Sequence, residues 1–293
     1  MKKIFIYILL TLFFIFLWSK LVNFGQVLQI LTKINWIFII ASILLGLATS
    51  LISSFRLKIL FKIIKKDISL IFLWSRSYIA GLSTTILPFF SGGFVFSYLV
   101  AGKIKEKYLK TFSIVLTDFC LSTGMLFIFG FAGSLKWGIE KPFIFLAFLI
   151  IVVAFAGIFL RDKIGPVTRL LTKNKIILSE SLFLSLAIFL LGIAQSYLIF
   201  MAFNLKLNFV TFGLAISLFG ILNLIPGAPT KIGQYEALGV LSFGYILNID
   251  KTLLSAVFLT QHIISLTLSV SVGLLSMWAT GLNTNDLTKK KPN

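Results

Sequence analysis

Long apolar runs restrict the fold of this chain more than any other feature of its sequence. A helix needs about 20 apolar residues to cross the roughly 30 Å hydrocarbon core of a bilayer. Six runs are close to that length or exceed it, at residues 4–18, 34–55, 111–135, 142–160, 176–203 and 252–278. These runs predict an all-α, polytopic membrane protein with about six transmembrane helices.

The composition excludes several classes of protein. Hydrophobic residues make up 58% of the chain and charged residues 12%, roughly half the charged share of a soluble domain. A soluble enzyme, a nucleic-acid-binding module and a secreted disulfide scaffold are therefore excluded. The net charge of +18 fits cytoplasmic loops that face anionic lipids. With one cysteine, one histidine and scattered acids, we expect no metal, no cofactor and no catalytic residues.

Both ends of the chain are basic. Lys2 and Lys3 precede the first apolar run, which has no small-residue cleavage site and is therefore expected to remain as an uncleaved helix. Residues 283–293 are polar and basic, which predicts a disordered cytoplasmic tail. Residues 1–282 are expected to form a single integral membrane domain.

An interruption divides the apolar region at residues 68–102. A leg at 68–87 is followed by Pro88, Gly92 and Gly93, and then by a short leg at 94–102. Nine helical residues rise only about 14 Å, which is half a bilayer. This pattern predicts a re-entrant helical hairpin that enters and leaves the membrane on one side.

A second interruption divides residues 209–248 in the same way. The leg at 209–225 ends at Pro226 and Gly227, and a return leg follows at 235–248. This predicts a second re-entrant hairpin. Since broken backbone in the membrane is tolerated only where protein or water covers it, we expect both hairpin turns to face an internal cavity.

The distribution of lysine and arginine tests this topology. With both regions as hairpins and a cytoplasmic N-terminus, 19 basic residues lie in cytoplasmic segments and 6 outside. If the first region crossed once, the counts would be 11 and 14; if only the second did, 17 and 8. The positive-inside rule therefore favours the topology with two hairpins. We expect the protein to lie in the inner membrane of the cell with both termini in the cytoplasm. The hairpins then have opposite orientations, which indicates an inverted repeat.

Five ionisable residues lie within these segments, where charge is costly and often functional. Arg76 could reach back to the headgroup region or bind a phosphate. Asp118 could pair with Arg76 or another base, or it could act in proton coupling or in recognition of a cationic headgroup. His262 could be a hydrogen-bonded packing residue or a proton relay.

Lys231 and Glu236 flank the second interruption. An exposed outer loop would explain both residues. In a re-entrant turn, Glu236 would instead open the return helix, where a carboxylate interacts favourably with the helix N-terminus. Gln234 and Tyr235 would add hydrogen-bond donors there.

Two segments carry a resemblance to a known family. LPFFSGGF at residues 87–94 and IPGAPTKIGQYEALG at residues 225–239 resemble the signature segments of the flippase-like membrane region of lysylphosphatidylglycerol synthases. The matching positions are Pro88, Phe89, Gly92, Gly93, Pro226, Gly227, Gly233 and Glu236. Phe94 stands where the family often has an acid, and Asp118 lies where it often has an aspartate.

The resemblance implies a stand-alone translocating region, since the chain has no room for the family's soluble aminoacyl-transferase domain. It implies movement of a phospholipid or lipid-linked headgroup between leaflets, with anionic or phosphate-containing lipids as partners and no nucleic acid. Two alternatives stay open: an enzyme or accessory protein of lipid-linked sugar or polyprenyl phosphate metabolism, and an ion-coupled transporter of a small solute. The residues expected to bind the substrate are Arg76, Pro88, Gly92, Gly93, Asp118, Pro226, Gly227, Lys231, Gly233, Gln234, Tyr235 and Glu236.

Overall fold

The described part of the chain is helical. A computed structural model describes residues 2–86, 91–138, 170–224 and 229–281, and no strand occurs among them. Ten α-helices follow one another within these ranges: α1 (Lys2–Leu21), α2 (Phe24–Leu31), α3 (Trp36–Phe61), α4 (Leu70–Ile86), α5 (Ser91–Ile104), α6 (Tyr108–Lys136), α7 (Lys175–Ala202), α8 (Phe209–Leu222), α9 (Gln234–Leu247) and α10 (Lys251–Ala279).

Four of these helices are long and apolar enough to cross a membrane. They are α3, α6, α7 and α10, with 26 to 29 residues each. The α1–α2 pair, bent by 79°, supplies a fifth span if it counts as one. The chain is therefore a multi-pass helical membrane protein. The run expected at 142–160 and the tail at 283–293 lie outside the described residues.

Helix α3 extends six residues beyond the end of its apolar run at position 55. Leu57, Leu60 and Phe61 are buried, and they continue the apolar surface of the helix through Arg56 and Lys58. Arg56 lies within the helix and is itself buried, although the apolar run predicted from the sequence ends one residue before it.

Four shorter helices occupy the two interrupted regions. Helix α4 has 17 residues, and α5, α8 and α9 have 14 each, so each rises only about 21–26 Å. Helix α5 packs against α4, and α9 against α8. The return leg α5 begins at Ser91, so Gly92 and Gly93 lie in its first turn rather than in the connection. Pro88, Pro226 and Gly227 lie outside the described residues.

Gly92 allows the two legs of the first region to approach closely. A Cβ atom at this position would collide with the side chain of Thr84 and the carbonyl group of Ala80. Glycine is therefore required here by the contact between α4 and α5.

Two of the long helices, α3 and α7, pack antiparallel to each other. Helix α3 lies against α7, where Arg56 meets Ser185 and Gly46 meets Gln195. As residue numbers fall along one helix they rise along the other, so the two helices run in opposite directions.

Two further helix crossings, α4 with α10 and α8 with α6, have contacts at corresponding positions. In the α4–α10 crossing, Gly81 faces Ser269, and in the α8–α6 crossing, Gly220 faces Leu126. Gly81 and Gly220 are 139 positions apart, and Leu126 and Ser269 are 143 positions apart.

A second set of contacts has the same offsets. Gly273 of α10 faces Tyr78 and Leu82 of α4, and Gly130 of α6 faces Ser217 and Ile221 of α8. Each residue of the first set is again 139 or 143 positions from its counterpart. The two crossings are therefore equivalent at these positions.

An aromatic cluster holds α9 against its neighbours. The ring centroids of Phe200 and Phe212 are 4.8 Å apart, and those of Phe243 and Phe258 are 5.2 Å apart. Gly239 of α9 lies against the Phe258 ring, where a Cβ atom would collide with it. This packing sets the position of the first turn of α9 relative to α10.

Candidate functional site

The first turn of α9 contains a buried carboxylate. Gly233 precedes the helix with φ of +82°, a conformation that favours glycine. Its backbone N–H donates to Glu236 Oε2 at 2.8 Å. Glu236 is 1% exposed, and its charge lies at the positive end of the helix dipole. Glu236 therefore lies in the first turn of this helix rather than in an exposed loop.

Glu236 is joined to His262 of α10. Its Oε1 lies 2.7 Å from His262 Nδ1, and His262 is 6% exposed. The Tyr235 ring lies against the imidazole, with the centroids 4.8 Å apart. When the imidazole is protonated, the two side chains form a buried ion pair.

The turn before α9 carries a lysine that contacts the end of α8. Lys231 Nζ donates to the backbone carbonyl of Asn223 and lies 3.4 Å from its side-chain oxygen. Asn223 is the C-cap of α8, where a cation interacts favourably with the helix dipole. Thr230 and Lys231 both have positive φ, so the turn adopts a backbone that costs free energy. Gln234, the first residue of α9, is buried.

Arg76 occupies a separate position, where the start of α4 meets the end of α10. The guanidinium lies 4.8 Å from the Phe72 ring centroid and donates to Thr280 Oγ1 at 2.9 Å. Arg76 is 9% exposed, and its Nε has no hydrogen-bond partner. Among the described residues, no carboxylate forms an ion pair with it.

Asp118 is engaged by a different arginine. Arg56 Nε donates to Asp118 Oδ1 at 2.8 Å. The Arg56 Nη atoms also donate to Ser185 at 2.7 Å and to Ser122 at 2.6 Å. The base that pairs with Asp118 is thus Arg56 and not Arg76.

The expected site residues consequently fall into four places. Glu236, His262, Tyr235, Lys231 and the neighbouring Gly233 and Gln234 gather around the start of α9. Asp118 joins Arg56 in the bundle of α3, α6 and α7. Arg76 lies where the start of α4 meets the end of α10, and Gly92 and Gly93 lie at the start of α5.

Arg56 is the polar residue that the apolar pattern misses. One signal points to it: Leu57, Ile59, Leu60 and Phe61 continue the apolar character of the run after the arginine. A basic residue followed by apolar residues is more consistent with a buried helix position than with the start of a loop.

A basic cavity lies between the end of α3 and the start of α7. Its volume is about 710 Å³. Its charged lining residues are all lysines, at positions 62, 65, 173 and 175. Such a cavity attracts anions. In the described ranges, no three His, Cys, Asp or Glu side chains are grouped closely enough to hold a metal ion.

Comparison with known proteins places most of the chain in one family. Residues 4–273 match the family model described as the lysylphosphatidylglycerol synthase TM region. Comparisons with curated proteins and with solved structures found no match.

Proposed function

This chain belongs to the family of the lysylphosphatidylglycerol synthase TM region, and from that premise we propose that it moves a phospholipid or lipid-linked headgroup between the two leaflets of the cell membrane. The family relates the chain to membrane lipid metabolism and transport. The proposed activity is transport without a covalent step in the substrate.

The repeated helix crossings support a transporter with two opposed halves. Helices α3 to α6 would form one half and α7 to α10 the other, with the two short-helix regions as re-entrant hairpins. The antiparallel contact of α3 with α7 gives equivalent helices opposite directions. Inverted repeats of this kind are typical of transporters that expose a central site to each side in turn.

The buried guanidinium of Arg76, which has no ion-pair partner among the described residues, is the observation that best supports the proposal. Burying a cation without a compensating charge is costly, and within the described residues Arg76 has one hydrogen bond, to Thr280, and an unpartnered Nε. A headgroup phosphate would supply the missing charge through the paired N–H groups of the guanidinium. We therefore expect anionic or phosphate-containing lipids as the substrate class.

The lysine-lined cavity supports an entry step on the same side as Arg76. Helix α3 ends at Phe61 and α4 begins at Leu70, so the cavity next to Lys62 and Arg76 lie towards one end of the bundle. We assign this end to the cytoplasm. The lysines would attract the headgroup, Arg76 would bind its phosphate, and Lys231 and Glu236 would contact its polar groups at the second hairpin. The acyl chains would remain in the bilayer.

Translocation of labelled lipid in proteoliposomes tests the proposal. Acyl-labelled NBD-phosphatidylglycerol is reconstituted with the protein, and dithionite added outside bleaches the label in the outer leaflet. We expect the wild type to expose inner-leaflet label faster than empty vesicles, and Arg76→Gln and Glu236→Gln to lose this activity.

Two exposed residues provide matched controls. Lys206→Gln removes a cation and Glu180→Gln removes a carboxylate, and both side chains are exposed, so both variants should translocate like the wild type. If the wild type moves no anionic, aminoacylated or polyprenyl lipid, the proposal fails and a small-solute transporter or an accessory protein becomes the better interpretation. Equal losses in the control variants would remove Arg76 and Glu236 from the site.

A further inference from the structure

We propose that the Glu236–His262 pair binds and releases a proton in each transport cycle, so that headgroup movement is coupled to proton movement. This inference rests on the proposed function and deepens it, because it assigns an energy source to the transport.

The geometry leaves one nitrogen of the pair available for protons. Glu236 uses both carboxylate oxygens, one towards the Gly233 N–H and one towards His262 Nδ1. With the carboxylate ionised, Nδ1 must carry the hydrogen that it donates. In the described part of the chain His262 has no second hydrogen bond, so the Nε2 lone pair can accept a proton from water and form an imidazolium.

No other described charge is bonded to this pair. Tyr235 stacks on His262, and Lys231 is bonded to Asn223. Helices α2 and α8, which pack on α10 and α9, contain no charged residue. The remaining charged or titratable residues with described side chains on the packed helices are Lys20 on α1, Arg76 and Tyr78 on α4, Lys175, Glu180 and Tyr197 on α7, Tyr245 on α9 and Lys251 on α10. None of these forms a hydrogen bond or salt bridge with the pair.

The charge of the pair therefore depends on one proton. With the imidazole protonated, the pair is neutral overall and suits a site closed to water. After the proton leaves Nε2, a net negative charge remains. A buried charge without a counterion is costly, even with the helix N-terminus nearby. Proton release therefore favours a conformation that opens the site to water, which is the coupling that alternating access requires.

The pair is present in one half of the molecule only. Applying the offset of 143 positions, Glu236 corresponds to Gly93 and His262 to Phe119. Both members of each corresponding pair occupy the same place in their helices, the third residue of α5 or α9 and the twelfth of α6 or α10. The corresponding position in the first half thus lacks both proton-binding side chains.

The coupling predicts an asymmetric distribution of lipid under a pH gradient. Proteoliposomes with NBD-phosphatidylglycerol are given a pH difference across the membrane, while valinomycin and equal potassium on both sides hold the potential at zero. With one proton per lipid, the steady-state ratio of inner to outer label should shift about tenfold for each pH unit. Glu180→Gln should show the same shift.

The outcomes separate the coupling from the transport itself. If the wild type moves labelled lipid quickly between the leaflets and the ratio of inner to outer label does not depend on the pH gradient, the coupling is overturned and the proposed function stays intact. A wild-type shift that persists in Glu236→Gln or His262→Gln overturns the assignment to this pair. Absence of any lipid movement refutes the proposed function and the coupling together.

Infrared difference spectroscopy tests proton binding even if the variants no longer transport. Spectra of the detergent-solubilised protein at two pH values should contain bands from the carboxylate and imidazole of the pair. His262→Gln should lose the imidazole bands and Glu236→Gln the carboxylate bands, and Glu180→Gln should keep both. A wild-type spectrum without pH-dependent bands that disappear in His262→Gln overturns the proposal.

Discussion

Replacing Asp118 with asparagine is expected to destabilise the protein through the charge that it leaves behind on Arg56. The Arg56 side chain is buried, with 1% of its surface exposed, and the Asp118 side chain has 16% of its surface exposed. In Asp118→Asn the amide occupies nearly the same volume. The bonds from Arg56 to Ser122 and Ser185 can persist, so the change removes mainly the negative charge.

The contacts define the size of the effect. The lost interaction is one charge-assisted hydrogen bond of 2.8 Å, and breaking a buried ion pair by removing one partner costs about 3–5 kcal/mol. Because the Asp118 side chain keeps partial access to its surroundings, we expect the lower end of this range, about 3 kcal/mol. Replacing both partners, as Arg56→Met with Asp118→Leu, should cost less than Asp118→Leu alone because no buried charge is left unpaired.

Equilibrium unfolding in mixed detergent and SDS micelles measures these differences in the free energy of unfolding. Asp67→Asn is the matched control, since Asp67 pairs with Lys58 at 3.2 Å but has 79% of its side-chain surface exposed. Exposed pairs contribute about 0–1 kcal/mol. Equal, small effects of Asp118→Asn and Asp67→Asn would refute the reasoning, as would a double replacement whose cost is the sum of the single costs.

Two further predictions concern packing and pH. Gly239→Ala would push a methyl group into the Phe258 ring, and such overpacking costs about 1–3 kcal/mol. Gly124→Ala, with no neighbouring atom within 4 Å, should leave the unfolding free energy unchanged or raise it. Equilibrium unfolding in the same mixed micelles measures both variants. Burial raises the pKa of the Glu106 carboxyl, but the hydrogen bonds and charges of Lys110 and Lys66 together outweigh burial and hold the pKa below its usual 4.5. The contribution of Glu106 to the free energy of unfolding is then present above pH 4.5 and is lost as the pH falls through the lower pKa of the folded state. The difference in unfolding free energy between the wild type and Glu106→Gln should therefore shrink at acidic pH. A difference that grows at acidic pH would contradict this prediction.

Local properties of the chain could be read from the sequence. The long helices α6, α7 and α10 begin and end within a few residues of the apolar runs that predict them, because their boundaries depend on hydropathy and length against the bilayer. The placement of Glu236 at the start of a helix is local as well, since it follows the interruption at Pro226 and Gly227 and lies where the next apolar leg begins. The membrane class of the protein is determined at this level.

The tertiary structure decided which buried polar groups meet. Asp118 could have paired with several bases, and it pairs with Arg56, 62 positions away, because α3 and α6 lie side by side in the bundle. Glu236 meets His262 because the aromatic cluster holds α9 against α10. Hydropathy shows that a charged side chain in such a helix needs a partner. It does not show which partner, because that depends on where two distant helices cross, and the crossing is decided by how their surfaces pack.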